Sequence, residues 1–265
     1  FLRTESERRW VRGAFGRYIS PAVVDRLAEH PERLTLGGEM REMTILFNDI
    51  RDFTARSERL DAHGLTRFVN RYLTPMTEVV LSQRGTIDKY IGDCIMSFWN
   101  APIDDTEHAL NACRAALGMR EELKRLNSIW AAEQAGDSHG FDPVRFGIGV
   151  NTGICCVGNM GSDQRFDYSV LGDDVNLASR LEGQSKTYGV DIVISETTEK
   201  EAASLATLEL DLLRVKGRTK PVRIFTLIGD ETVANSTEFK ARKVRHDTML
   251  AAYRARDWEK AAARL

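Results

Sequence analysis

Apolar and polar positions along the chain change period several times, and each change marks an element. Val11, Ala14, Phe15, Tyr18 and Ile19 recur at three- and four-residue spacing, which predicts a helix over residues 3–19. Ser20-Pro21 restarts a helix as N-cap and first-turn residue, and Gly37-Gly38 breaks it. The run 43–49 reads as a strand. A helix is expected from Leu65 to Ser82, with Pro75 kinking it or marking a boundary, and Gly85 ending it. The β-rich runs Thr86–Tyr90 and Cys94–Trp99 flank Ile91-Gly92-Asp93 and predict a hairpin with Asp93 in or beside its turn. A long amphipathic helix over Asp105–Ala135 follows, then a polar loop over 136–143. Strands Val144–Val150 and Ile154–Val157 are expected around a turn at Asn151 and Gly153, with a loop from Gly158 to Asp167. Asp173-Asp174 cap a helix that continues to Lys186. Strand 190–194, helix 196–204 and strands 207–215 and 222–228 come next, and residues 236–265 read as a detached helical segment.

Hairpins mixed with crossover helices argue for an α+β sandwich with a mostly antiparallel sheet, not a doubly wound parallel one. Three segments follow: a helical linker over 1–38, the main domain over 39–230 and a helical C-terminal extension over 231–265.

Composition narrows the function classes. Of 265 residues, 29% are charged and 42% hydrophobic, as in an ordinary soluble domain. A net charge of −2 lacks the basic excess of a nucleic-acid binder. No apolar run is long enough to span a bilayer, and there is no signal peptide. The first residue is Phe1, not Met, so the chain reads as a fragment of something longer. Cys94, Cys113, Cys155 and Cys156 form no Cys-x-x-Cys pair and read as structural thiols of a reducing compartment.

Candidate chemistry starts at Asp49. Ile45, Phe47 and Asp49 share one face of an extended strand, which aligns a carboxylate with core residues. Asp is depleted in strands and rarely buried without a partner. A cation is one way to satisfy it; capping the following turn is another. Asp93 has the same two readings. If the hairpin flanks a central first strand, both carboxylates reach the same edge of the sheet, where two hard oxygen ligands suit Mg²⁺.

Several motifs then match a family. Phe47-x-Asp49-Ile50-Arg51-x-Phe53-Thr54, Asp88-Lys89-x-Ile91-Gly92-Asp93 and Gly172-Asp173-x-Val175-Asn176-x-Ala178-Ser179-Arg180 resemble the class III nucleotidyl cyclase catalytic domain. The resemblance spans roughly residues 40–228, with the motifs in the same order. Residues 8–38 resemble the helical element that couples an upstream sensor to bacterial members.

The resemblance implies the class III cyclase fold, a ferredoxin-like sandwich, and an adenylate cyclase that converts ATP to 3′,5′-cyclic AMP and pyrophosphate. It implies two divalent ions, Mg²⁺ or Mn²⁺, on Asp49, Asp93 and the Ile50 carbonyl. Asn176 would orient the ribose and Arg180 would stabilise charge at phosphorus, while Lys216 would contact the triphosphate. Lys89 and Ser169 would contact the base. An ammonium only donates, which suits the adenine N1 acceptor, and a serine hydroxyl can accept from the 6-amino group. The resemblance also implies a homodimer with sites shared between chains and no nucleic-acid partner. The expected setting is a cytoplasmic catalytic domain, with a membrane-anchored receptor among the parents that fit.

The sequence departs from the family pattern at Asp52, where many relatives have Gly, and at Asn48, where they have a small residue. Asp52 is expected to tune the metals or pair with Arg51. Many relatives carry Asp or Thr at Ser169, which keeps a guanylyl or mixed cyclase open as the alternative. A catalytically silent dimerisation module would lack one of Asp49, Asp93, Asn176 and Arg180, and all four are present.

Overall fold

A computed structural model describes residues 23–24, 35–134, 141–214 and 221–263. The expected helix over 3–19, its Phe15 and Tyr18 face, and Lys216 lie outside the described residues.

The sheet is built on β1 (Gly37–Ile50), which pairs antiparallel with β3 (Cys94–Trp99) on one side and β4 (Phe146–Ser162) on the other. This central strand is also packed on both faces, which explains the near-continuous apolar run at its C-terminal half. Met43, Ile45 and Phe47 pack on one face, Leu46 and Ile50 on the other. β2 (Thr86–Ile91) hairpins onto β3 through a turn whose Gly92 has φ 67°, a left-handed value that glycine adopts without strain. Beyond β4 lie β6 (Ile192–Ser195), β8 (Val222–Gly229) and β7 (Ala206–Leu213), giving the order β2-β3-β1-β4-β6-β8-β7. The β4–β6 pair is parallel and the other pairs are antiparallel. The α+β expectation holds.

α1 (Phe53–Ser57) follows β1 directly. α2 (Ala62–Ser82) and α3 (His108–Glu133) cover one face through Tyr72, Met76, Val80, Ala112 and Trp130. α2 begins before Leu65 because the Asp61 side chain caps it, accepting from the Gly64 N–H at 2.7 Å. It runs through Pro75 without a boundary, since the buried residues on either side of the proline anchor it to the sheet. α4 (Asp173–Tyr188) covers the opposite face.

The expected turn at Asn151 and Gly153 is absent. β4 is continuous there and pairs with the whole of β1. Asn151 donates to the Asp174 carbonyl oxygen at 2.9 Å, and a Cβ on Gly153 would fall 2.3 Å from the Asp174 carboxylate. Both residues accommodate the packing of α4 rather than a reversal of the chain. The expected loop over Gly158–Asp167 is also strand: β4 continues to Ser162 and returns as β5 (Arg165–Leu171). β5 pairs with the far half of β4, and the ring centroids of Tyr168 and Phe98 on β3 lie 6.2 Å apart.

α5 (Glu196–Glu201) links β6 to β7. The C-terminal segment forms α6 (Glu231–Asn235), α7 (Thr237–Arg254) and α8 (Trp258–Ala262). It is docked rather than detached, with Phe239 buried against Ala206 and Leu208 and His246 bonded to the Glu209 carbonyl oxygen. No helix among the described residues is long and apolar enough to cross a membrane.

Candidate active site

β1 delivers Asp49 to its C-terminal end, opposite Gly147 of β4. The β2–β3 turn delivers Asp93 to the same edge. There the Ile50 N–H donates to the Asp93 carboxylate at 3.1 Å, and Asp93 lies within hydrogen-bonding reach of Asp49. Burial first, and then the charge of Asp49, push the Asp93 carboxyl up to about 6. The two carboxylates expected to meet do meet, and they meet as like charges.

Glu182 of α4 is a third carboxylate here. A Cβ on Gly147 would lie 2.3 Å from its Oε1. Burial, followed by the charge of Asp49, raises its carboxyl to about 7, with Arg51 opposing and Asp93 adding to the rise. Arg51 is committed elsewhere, donating to the Val190 carbonyl oxygen and, at 3.3 Å, to the Ser185 hydroxyl. The expected Asp52–Arg51 pair is therefore not formed. Asp52 turns outward to Lys186 at 3.2 Å and Arg145 at 3.6 Å. Asn48 is buried, accepting from the Tyr72 hydroxyl.

Among the described residues no cluster of three or more His, Cys, Asp or Glu side chains is arranged around a metal position. Two carboxylates and the Ile50 carbonyl leave most of a coordination sphere to water and phosphate oxygens, which suits Mg²⁺ and not a structural zinc site. The raised Asp93 carboxyl is the repulsion that a divalent ion would relieve. The donor set fits the ions that the sequence implies.

Asn176 and Arg180 lie one turn apart on α4, away from buried Leu177 and Leu181. Gly172 is the N-cap, with no side-chain cap, and Asp173 and Asp174 occupy the first turn instead of capping it. The side chains of Asn176 and Arg180 make no hydrogen bond or ion pair among the described residues. The Arg180 Nη1 is buried nonetheless. A buried donor without an acceptor costs about 1–3 kcal/mol, so this guanidinium is set up for an incoming anion. Neither residue is hydrogen-bonded or ion-paired to Asp49 or Asp93 among the described residues.

Lys89 and Ser169 are brought together through Asp88. The Ser169 hydroxyl donates to Asp88 Oδ2 at 2.8 Å, and Lys89 Nζ lies 3.2 Å from Asp88 Oδ1. Asp88 and Glu182 are the residues that sequence reasoning missed. Asp88 did carry a signal, an acidic residue inside a strand beside Lys89. Glu182 carried none, because only the packing of α4 on Gly147 puts it there.

The adenylate and guanylate cyclase catalytic domain family matches residues 38–229. Adenylate cyclase 1 of Rhizobium meliloti is 36% identical over 199 residues, which are 75% of this chain and 29% of that protein. The chain thus spans less than a third of that relative's length. The crystal structure of the adenylyl cyclase CyaB from P. aeruginosa is 36% identical with a TM-score of 0.67, covering 74% of this chain and 97% of that one. The guanylyl cyclase Cya2 is 33% identical with a TM-score of 0.64, covering 74% of this chain and 95% of that one. The fold thus accommodates either base. With that family model matching residues 38–229, the chain belongs to the adenylate and guanylate cyclase catalytic domain family.

Proposed function

We propose that this chain is the catalytic part of an adenylate cyclase, converting ATP to 3′,5′-cyclic AMP and pyrophosphate at sites shared between two copies. The observation that carries the reading is the presence, in one chain, of two unneutralised carboxylates, Asp49 and Asp93, and of an arginine, Arg180, whose buried Nη1 has no partner among the described residues. Asp49, Asp93 and the Ile50 carbonyl would hold two divalent ions, Mg²⁺ or Mn²⁺, whose chemistry when bound is to acidify a hydroxyl and neutralise phosphate charge. In the reaction the 3′-hydroxyl gives up its proton to solvent, O3′ forms a bond to the α-phosphorus, and the bond from that phosphorus to the pyrophosphate oxygen breaks, releasing pyrophosphate. Arg180 offers its planar fork to the oxygens on which charge accumulates. Asn176 orients the ribose, and Lys216 meets the triphosphate.

Lys89 and Ser169 favour adenine. The ammonium donates to N1 of adenine, whereas guanine presents an N1–H there. Similarity to Cya2, together with serine at 169, supports a mixed-specificity enzyme as the second reading. Exposed Met40, Ile154 and Leu171 support pairing of two copies. Met40 and Leu171 both flank Cys156 across adjacent strands, and Ile154 lies two residues along β4, so the three form one apolar face. Residues 1–38 are read as the coupling element, 39–230 as the catalytic unit and 231–265 as an extension, with a sensor elsewhere in a longer parent.

The test is the purified chain with ATP or GTP and Mg²⁺ or Mn²⁺, scored for cyclic nucleotide and pyrophosphate. Cyclic AMP with strong preference for ATP is the expected result. No product under any combination would leave only a silent nucleotide-binding module, and equal turnover of both nucleotides would remove the base assignment.

A further inference from the structure

The hairpin of β2 and β3 is irregular at one place. Ile87 pairs with Ser97 and Lys89 with Met96, so Asp88 is the extra residue of a β-bulge. A bulge re-aims a side chain, and here it sends a carboxylate toward β5. The Asp88 side chain is fully buried, while that of its neighbour Lys89 is 43% exposed. Burial of a carboxylate requires partners. Asp88 Oδ2 accepts from the Ser169 hydroxyl at 2.8 Å and from the Val170 N–H at 3.4 Å. Oδ1 faces the Lys89 ammonium at 3.2 Å, an ion pair not aligned as a hydrogen bond. A hydroxyl and a backbone N–H donate to Oδ2 and an ammonium stands beside Oδ1, while burial, the largest influence, pushes the carboxyl up.

We propose that Asp88 is a positioning residue that fixes the hydrogen-bond polarity of the base pocket. This rests on the reading of Lys89 and Ser169 as the base-contacting pair. A serine hydroxyl has one proton and two lone pairs. Asp88 takes the proton, so Ser169 faces a ligand with lone pairs only. It can then accept from the 6-amino group of adenine but cannot donate to the 6-oxo group of guanine. Asp88 also holds the Lys89 ammonium, which can only donate, and so meets the N1 acceptor of adenine rather than the N1–H of guanine. Ser169 itself is 4% exposed, so its orientation is set inside the protein before a nucleotide arrives. Discrimination then comes as much from rejecting guanine as from binding adenine.

The experiment is kcat/KM for ATP and for GTP with wild type, Asp88→Asn, Ser169→Ala and the double variant. An asparagine amide can donate to Ser169, freeing the hydroxyl proton for a 6-oxo group. The ATP-to-GTP preference should fall by roughly tenfold or more in Asp88→Asn, the scale of one mispaired buried polar group. In the Ser169→Ala background the same substitution should change the preference by less, because the hydroxyl route is gone and only the contact with Lys89 remains. Equal losses with both nucleotides, or the same effect in both backgrounds, would overturn the proposal in favour of a purely structural carboxylate. If Asp88→Asn does not accumulate as folded protein, Asp88→Ser is read in the same way, and failure of both to fold counts for the structural role. A wild type that turns over ATP without preferring it removes the base pocket itself. A wild type with the preference, unchanged by Asp88→Asn, removes this inference alone.

Discussion

Two buried acidic sites on one sheet have opposite surroundings. Asp88 sits between a hydroxyl, a backbone N–H and an ammonium, all in its own chain. Asp93 sits beside Asp49 with Glu182 nearby, and its bond from the Ile50 N–H does not offset two like charges. Burial pushes both carboxyls up. At Asp88 the chain supplies its own counter-groups; at Asp93 no cationic side chain is paired with the carboxylate among the described residues. A carboxylate with internal partners can organise its neighbours, whereas one crowded by like charge among the described residues is a candidate ligand for an added cation.

The largest expected effects are on turnover. Asp93→Ala should lower cyclic AMP formation by about a thousandfold, since it removes a ligand for charge-neutralising ions. Arg180→Ala should lower kcat by about a hundred- to a thousandfold with less change in KM, the signature of a contact made mainly in the transition state. An Asp93→Ala enzyme that stays active would erase the difference between the two carboxylates.

Next come effects on folding, read by thermal or urea denaturation in chelator. Asp93→Asn should stabilise the metal-free chain by about 1 kcal/mol after allowance for solvent screening. Asp88→Asn should have a smaller effect, because the hydroxyl, backbone N–H and ammonium beside that carboxyl counter part of the effect of burial. Equal effects at the two positions would contradict the comparison.

The pH dependence is smaller again. A carboxyl whose pKa is higher in the folded chain than in the unfolded one binds more protons when folded, so stability falls as pH rises. In chelator, stability should drop between the ordinary carboxylate range and about 6 through Asp93, and on to about 7 through Glu182. Adding Mg²⁺ should recover stability above that window, and a metal-free chain equally stable across it would count against the charge cluster.

The sequence made the polar motifs legible because each lies within a short run: Asp49 ends an apolar strand, Asp93 follows Gly92 in a hairpin, and Asn176 and Arg180 share a helical face. Long-range packing was not legible. Asn151 and Gly153 have the composition of a turn, and only the approach of Asp174 explains them as strand residues. β5 was missed because its glycine-flanked, polar sequence resembles a loop until it is seen pairing with β4. Asp88 lay inside a recognised motif, but its role depends on a bulge that propensity does not reveal. Of the two expectations for Asp52, the pair with Arg51 is not formed, because Arg51 turns to Ser185 and Val190 and leaves Asp52 to Lys186.

The central claim is that the carboxylates of one copy work with the arginine of another. Mixing Asp49→Ala with Arg180→Ala and allowing the chains to re-pair tests it most directly. Half of the dimers would then be mixed, and each would carry one intact site, so roughly a quarter of wild-type cyclic AMP formation should return although each variant alone is nearly inactive. A mixture no more active than its separate components would contradict the shared site.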